Sequence, residues 1–377
     1  MTDPPSRNTG GTPSGDASSG GATSGGVPDR GVPSGGVPDR GPFGAGTPLT
    51  RVWRNGRLAG EGFPVAEMSE RLSDPAAVVW VDLVTPDGPG LRLVAEELGL
   101  DPVAVEDAIS SQERAKLDRY HGYLFLNVYS PEITGGELVL HEVSAFVTDR
   151  ALVTVRQDAG FDAGALIRRW DEGPDAPDGP DGPDGPAAGG AALLLYGLLD
   201  LVVDRQLDAV QTLDDEADRL EELIFDETFP VREIQRRSFL LRKNLVTLRR
   251  VALPMREIVN TLLRRPSRIV PEPLIPYFQD VYDHTLRVGE WTDGLRDLIA
   301  NLLDTRIALQ GNRLNEVMKK VTSWAAIIAV PTAVTGFYGQ NVPYPGFGHA
   351  SGFAASTVIV IACSVGLYIT FKIKDWL

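Results

Sequence analysis

The side chains with most chemical potential in this sequence carry oxygen and stand in rows. Asp200, Asp204, Asp208, Asp214, Asp215, Glu216, Asp218, Glu221, Glu222, Asp226 and Glu227 follow one another through a helical stretch. A run of this kind is either a solvated face or a means of concentrating cations. A second row falls every seven residues: Asp304, Gly311, Met318, Ala325, Thr332 and Gly339, flanked by Ala308, Asn315, Thr322, Ala329 and Gly336. It is mostly small or polar, and it passes from a charged region into an apolar one. Two readings fit such a stripe in a membrane helix. It is a surface for close packing through small side chains, or a wall where polar groups and backbone oxygens face water. Two membrane helices cannot enclose a pore, so the second reading requires a symmetric oligomer.

Other chemistries are poorly supplied. The formal net charge of -15 lacks the basic footprint that meets phosphate, which excludes nucleic acid as a partner and suits a cation. The single cysteine, Cys363, lies in an apolar run, which rules out a disulfide framework or a thiolate metal site within one chain. His121, His141, His284 and His349 show no zinc-ligand spacing. No nucleophile–base grouping or phosphate loop is visible, so the chain does not read as an enzyme. No charged-then-apolar leader opens it, so no cleaved signal peptide is expected.

These rows must be held by a scaffold that changes character along the chain. Residues 1–48 are Gly, Ser, Pro and Thr with Gly26-Val-Pro-Asp-Arg30 repeated as Gly36-Val-Pro-Asp-Arg40, a composition expected to stay disordered. Residues 49–170 read as a compact cytoplasmic α/β domain. Its strands are expected at Val78–Asp82, Tyr123–Tyr129, His141–Val147 and Ala151–Arg156, with hairpin turns at Gly135-Gly136 and Asp149-Arg150 and a helix through Leu91–Leu98. Residues 171–190 form an Asp/Gly/Pro-rich loop, in which proline every third residue defeats a calcium-binding turn. Residues 191–270 form a pair of long amphipathic helices, Ala191 to about Phe225 and Val231 to about Leu263, broken at Pro230 and at the prolines from Pro266 onward. Residues 271–338 hold one helix of roughly 90 Å. Val281, Val288, Leu295, Leu302 and Leu309 supply its packing seam.

From Val321 to Phe371 there is no Asp, Glu, Lys or Arg. Residues 321–338 and 353–371 are each long enough to span a bilayer, joined by an outer loop over 339–352 and followed by a short tail over 372–377. Lys319, Lys320, Lys372 and Lys374 fall on one side and the loop has no Lys or Arg, which places both termini in the cytoplasm of a multi-pass cell-membrane protein.

The motif Tyr338-Gly339-Gln340-Asn341 after a proline-kinked span, with the ending Phe371-Lys-Ile-Lys-Asp-Trp-Leu377, resembles the CorA-type magnesium/cobalt transporters. Similar too are the stretches from Pro276 to Thr285, Leu302 to Asp304, Asn315 to Lys319, Leu241 to Val246, Pro254 to Glu257, Val105 to Asp107 and Gln112 to Lys116. The resemblance spans residue 50 to the end. It implies an α+β cytoplasmic funnel, a long stalk helix that continues as the first membrane helix, an outer second helix, and a homopentamer in the lipid bilayer. It places Gly339, Gln340 and Asn341 in a selectivity loop. Asp304, Gly311, Asn315, Met318 and Thr332 become pore-lining residues. Asp107 and Asp280, with Glu106 and Asp200 nearby, become holders of a regulatory Mg2+ between subunits.

The chemistry fits these placements. Mg2+ dehydrates reluctantly and takes octahedral oxygen ligands, which a ring of Asn amides and backbone carbonyls offers without stripping the ion. Carboxylates facing one another need a cation to offset their repulsion, so metal loss would separate subunits. Three features depart from the family: Gln340 where Met is usual, no acid in the outer loop, and a basic ending reduced to Lys372 and Lys374. The expected function is passive uptake of Mg2+, with Co2+ or Ni2+ as secondary substrates, gated by intracellular Mg2+. The alternatives are a zinc transporter of the same superfamily and a membrane-anchored metal-binding scaffold that does not conduct.

Overall fold

The computed structural model describes residues 48–84, 88–110, 114–172, 189–226, 228–264, 269–340 and 343–377. Most of the N-terminal tail and of the Asp/Gly/Pro-rich loop therefore lies outside the described residues, as does Asn341.

The first part of the chain builds a seven-stranded sheet from β1 (Leu49–Arg54), β2 (Arg57–Glu61), β3 (Ala77–Val84), β4 (Lys116–Arg119), β5 (Leu124–Thr134), β6 (Glu137–Val147) and β7 (Ala151–Arg156). Its order is β2-β1-β3-β7-β6-β5-β4. The β3–β7 pair is parallel and the others antiparallel. The β5–β6 hairpin closes on Gly135 and Gly136, both at positive φ, the geometry that a two-residue turn matched to strand twist requires.

Each face of the sheet is covered. α1 (Met68–Leu72), α2 (Gly88–Leu98) and α3 (Pro102–Ile109) lie on one side, where Met68, Leu91, Val94, Ala104 and Ala108 meet Phe125 and Phe146. On the other side α4 (Ala163–Glu172) and α5 (Ala191–Phe225) pack Leu166, Leu195, Leu198 and Val202 against Leu124, Leu126 and Val128. Burial on both faces explains why β5 and β7 are nearly continuous apolar runs rather than alternating ones.

α6 (Val231–Arg264) follows α5 after a short connection, and α7 (Ile275–Tyr338) packs on both. α7 has 64 residues. Its seam of Phe278, Val281, Thr285, Val288, Thr292, Leu295, Ile299 and Leu302 is buried, the three-and-four spacing of a core-facing stripe. The seam stops at Leu302: Leu309, expected to continue it, is 40% exposed. The cause is the length of α5, which ends at Phe225, with Arg306 donating to the Ile224 carbonyl at 2.6 Å. Beyond that point, as far as Thr322, every residue of α7 is exposed. α8 (Ala350–Ile373) starts three residues before the expected second span, directly after a turn through Gly346–His349, which shortens the link to α7. α7 and α8 are long and apolar enough to cross a membrane.

Candidate functional site

Two groups of side chains merit chemical attention, one along the upper half of α7 and one where α4, α5 and α7 meet.

Along α7, Asp304, Gly311, Asn315, Met318, Ala325, Thr332 and Gly339 are all exposed. The side chains that meet α8 belong to a different row. Ser323 is fully buried, and Ala326, Ile327, Val330 and Val334 are half-buried. At about 100° per residue, Ser323, Ile327, Val330 and Val334 centre on the opposite side of α7 from Gly311, Met318, Ala325 and Thr332, with Ala326 on the flank between. The small-residue stripe is therefore not the contact between the two apolar helices of one chain. The Thr332 hydroxyl donates to the Ile328 carbonyl at 3.0 Å, and the Thr335 hydroxyl to the Pro331 carbonyl at 2.9 Å. Such back-bonding satisfies each hydroxyl within its own helix.

The helix ends in a tight turn. Gly339 donates to the Thr335 carbonyl at 2.9 Å and Gln340 to the Phe337 carbonyl at 3.3 Å. A Cβ at position 339 would stand 2.9 Å from the Thr335 oxygen, so the glycine is needed for close backbone approach. Asn341, the third member of the motif, lies outside the described residues.

The second group is acidic with one imidazole. Asp200 on α5 is 8% exposed, and one ligand atom each from Asp200, Asp204 and His284 lies within 4.8 Å of the others. Asp280 sits one turn before His284 on α7, with 3.8 Å between its carboxylate and Nδ1. Nδ1 of His284 is buried without a hydrogen-bond partner. Arg169 on α4 reaches over both aspartates, at 3.2 Å from Asp200 and 2.5 Å from Asp204. Burial pushes the Asp200 carboxyl up to about 6; Arg169 opposes that rise, while the neighbouring charges of Asp204 and Asp280 add to it. A buried carboxylate held by one shared guanidinium retains acceptor capacity, and oxygen with imidazole suits a divalent cation.

The family resemblance implies that Asp200 and Asp280 serve one metal; the structure groups Asp200 with Asp204 and His284, and sets Asp280 beside His284. Glu106 and Asp107 are elsewhere. Both lie on α3, across the sheet from α5 and α7. Glu106 is exposed, and Asp107 pairs with Lys116 at 2.5 Å, a lysine that also reaches Asp118 at 3.0 Å. Sequence reasoning did not single out Asp204, His284 or Arg169 for this cluster. Two pairs spaced by four residues, Asp200 with Asp204 and Asp280 with His284, were the available signal, since each pair occupies one helix face.

Comparison with known proteins is consistent with this architecture. Residues 75–374 match the family described as CorA-like Mg2+ transporter protein. The cobalt/magnesium transport protein CorA of Thermotoga maritima is 30% identical over 292 residues, covering 76% of this chain and 80% of that protein. The zinc transport protein ZntB of Yersinia enterocolitica is 26% identical over 194 residues, 48% of this chain and 55% of its own. Among solved structures, the complete CorA magnesium transporter of Methanocaldococcus jannaschii superposes with a TM-score of 0.71 at 18% identity. It covers 89% of this chain and 100% of its own, a likeness of fold.

Proposed function

The chain belongs to the CorA-like Mg2+ transporter family, and from that premise we propose that it is a homopentameric channel for passive Mg2+ uptake, with Co2+ as a further substrate. Membership makes it a membrane-located transporter of divalent metal ions of the CorA/ZntB type rather than an enzyme. The observation that carries the finer reading is the uncovered stripe on α7. α8 occupies the opposite side of the helix, which leaves Gly311, Met318 and Thr332 facing away from their own chain, with Asn315 exposed on the flank between. Five such helices, stripes inward and α8 outward, give a pore lined by small and polar groups inside a sleeve of apolar ones. Asp304 stands at its cytoplasmic mouth. Gly339, Gln340 and Asn341 form the outer ring, where amide and carbonyl oxygens meet the water shell of the ion.

The regulatory reading gains support from the separation of the acids. Asp107 and Asp280 lie on opposite sides of the sheet in one chain, so an ion held by both joins two subunits. With Asp200 beside Asp280 and Glu106 beside Asp107, bound intracellular Mg2+ holds neighbouring subunits together and closes the pore. Loss of the ion lets like charges separate them.

Reconstituted liposomes test this. Asn341→Ala should assemble and insert but lose Mg2+ flux, whereas Gln340→Met should conduct. Parental flux through Asn341→Ala would refute the selectivity ring. The resemblance to a zinc transport protein gives Zn2+ transport as the second reading, and Zn2+ in place of Mg2+ in the same liposomes separates the two.

A further inference from the structure

The link between α7 and α8 has no acidic residue, yet it is tied at both ends. The Tyr344 hydroxyl donates to the Tyr338 carbonyl at 3.1 Å. That oxygen belongs to the last residue of α7, one of the carbonyls a helix leaves without an intrahelical donor. The Tyr344 ring meets Tyr338 edge-on at 4.9 Å and Phe347 at 5.3 Å, and stands 6.4 Å from Phe337. Two residues on, Gly346 takes φ +91° and lies so close to Gly352 of α8 that a Cβ on Gly352 would stand 2.5 Å from the Gly346 oxygen. The link thus runs from a hydrogen bond on the end of α7 to a glycine–glycine contact in the first turn of α8.

We propose that Tyr344 is a positioning residue for the outer mouth of the pore, fixing the Tyr338 carbonyl and with it the direction in which the Gly339–Gln340 turn leaves the helix. This deepens the proposed function and rests on the reading that this turn belongs to the selectivity ring. Three physical features carry it. The hydroxyl bonds the residue immediately before Gly339, so its loss frees the backbone at the start of the turn. The aromatic contacts to Phe337, Tyr338 and Phe347 hold the ring where it can make that bond. The Gly346–Gly352 contact anchors the strap to α8, which itself packs on the far side of α7, so the tie closes a loop from Ser323 and Val330 back to Tyr338. A ring without acids cannot draw ions by charge, and the geometry of its oxygens then carries discrimination between ions of different hydration.

The test uses the full chain in liposomes, with Mg2+ and Co2+ fluxes measured separately. Tyr344→Phe keeps the ring and removes only the donor. It should leave assembly and insertion unchanged and alter the Co2+-to-Mg2+ flux ratio by about two- to tenfold, the effect of one hydrogen bond. Asn341→Ala is measured beside it. If Asn341→Ala loses flux and Tyr344→Phe keeps the parental ratio, the inference on Tyr344 fails and the ring stands. If Asn341→Ala conducts like the parent, the ring itself fails and the inference falls with it. Loss of the oligomer in Tyr344→Phe also overturns the proposal, because it assigns the hydroxyl to folding rather than to ion choice. Tyr344→Leu, which removes the ring as well, should shift the ratio at least as far as Tyr344→Phe; a parental ratio there would overturn the proposal independently.

Discussion

Asp200→Asn offers the most quantitative probe of the cluster between α4, α5 and α7. In the folded chain burial lifts the Asp200 carboxyl from an ordinary value near 3.8 to about 6. The folded state therefore binds a proton more tightly than the unfolded one. The stability this provides is complete below pH 4 and is lost as pH rises through 6. At neutral pH the loss amounts to about 3 kcal/mol. Asn keeps the shape and removes the charge, so the variant should lack this slope. The value of about 6 already includes the attraction of Arg169, so the net expectation is a folded part about 3 kcal/mol more stable than the parent at pH 7.5 without divalent metal, with the advantage vanishing near pH 4. Urea titration of the full chain in detergent, followed by the fluorescence of Trp53, Trp80 and Trp170, which cluster beside Arg169, reads the difference. Millimolar Mg2+ should then stabilise the parent and close the gap, because a cation that binds the folded cluster favours folding by mass action. An unchanged pH slope in Asp200→Asn would refute the electrostatic argument. Equal Mg2+ stabilisation of both proteins would remove Asp200 from the metal site.

Two further tests address gating and topology. Asp280→Lys places a fixed cation where the proposed inter-subunit ion would sit, so protease resistance of the cytoplasmic part should depend several-fold less on Mg2+; an unaltered Mg2+ dependence would make Asp280 an ordinary surface acid. Ser351→Cys in a Cys363→Ser background should react with a membrane-impermeant maleimide on intact cells, and labelling only after permeabilisation would invert the orientation drawn from Lys319, Lys320, Lys372 and Lys374.

Long elements were the most legible in the sequence. α5 and α6 announce themselves by apolar periodicity ended by Pro230 and by the prolines after Arg264, and α7 by the absence of proline between Pro276 and Pro331. Short edge strands were not. β4 reads Lys-Leu-Asp-Arg, with only Leu117 apolar, because an edge strand takes its place from pairing with β5 rather than from burial. The β1–β2 hairpin did leave a signal, since Asn55 and Gly56 both take positive φ in the turn such a pair favours. At the site, Asp200 and Asp280 entered through family resemblance. His284 is paired with Asp280 on its own helix, but its approach to Asp200 and Asp204, like that of Arg169, joins different helices, and spacing along one chain does not report which helix faces meet. Leu309 shows the converse: a seven-residue period persisted one turn beyond the helix that gave it a purpose.

The point where Arg306 meets the Ile224 carbonyl has a mechanical meaning. It divides α7 into two arms of one uninterrupted rod. Asp280 lies 26 residues below it, roughly 39 Å, and Met318 12 residues above, roughly 18 Å. With that contact as fulcrum, a tilt that carries Asp280 sideways by about 4 Å swings Met318 by about 2 Å the other way. In the proposed assembly of five rods around an axis, a displacement of that size changes the diameter of the bore by about 4 Å, more than the width of a water molecule. An ion settling at the base of the rod would thus be felt, geared down by half, at its throat.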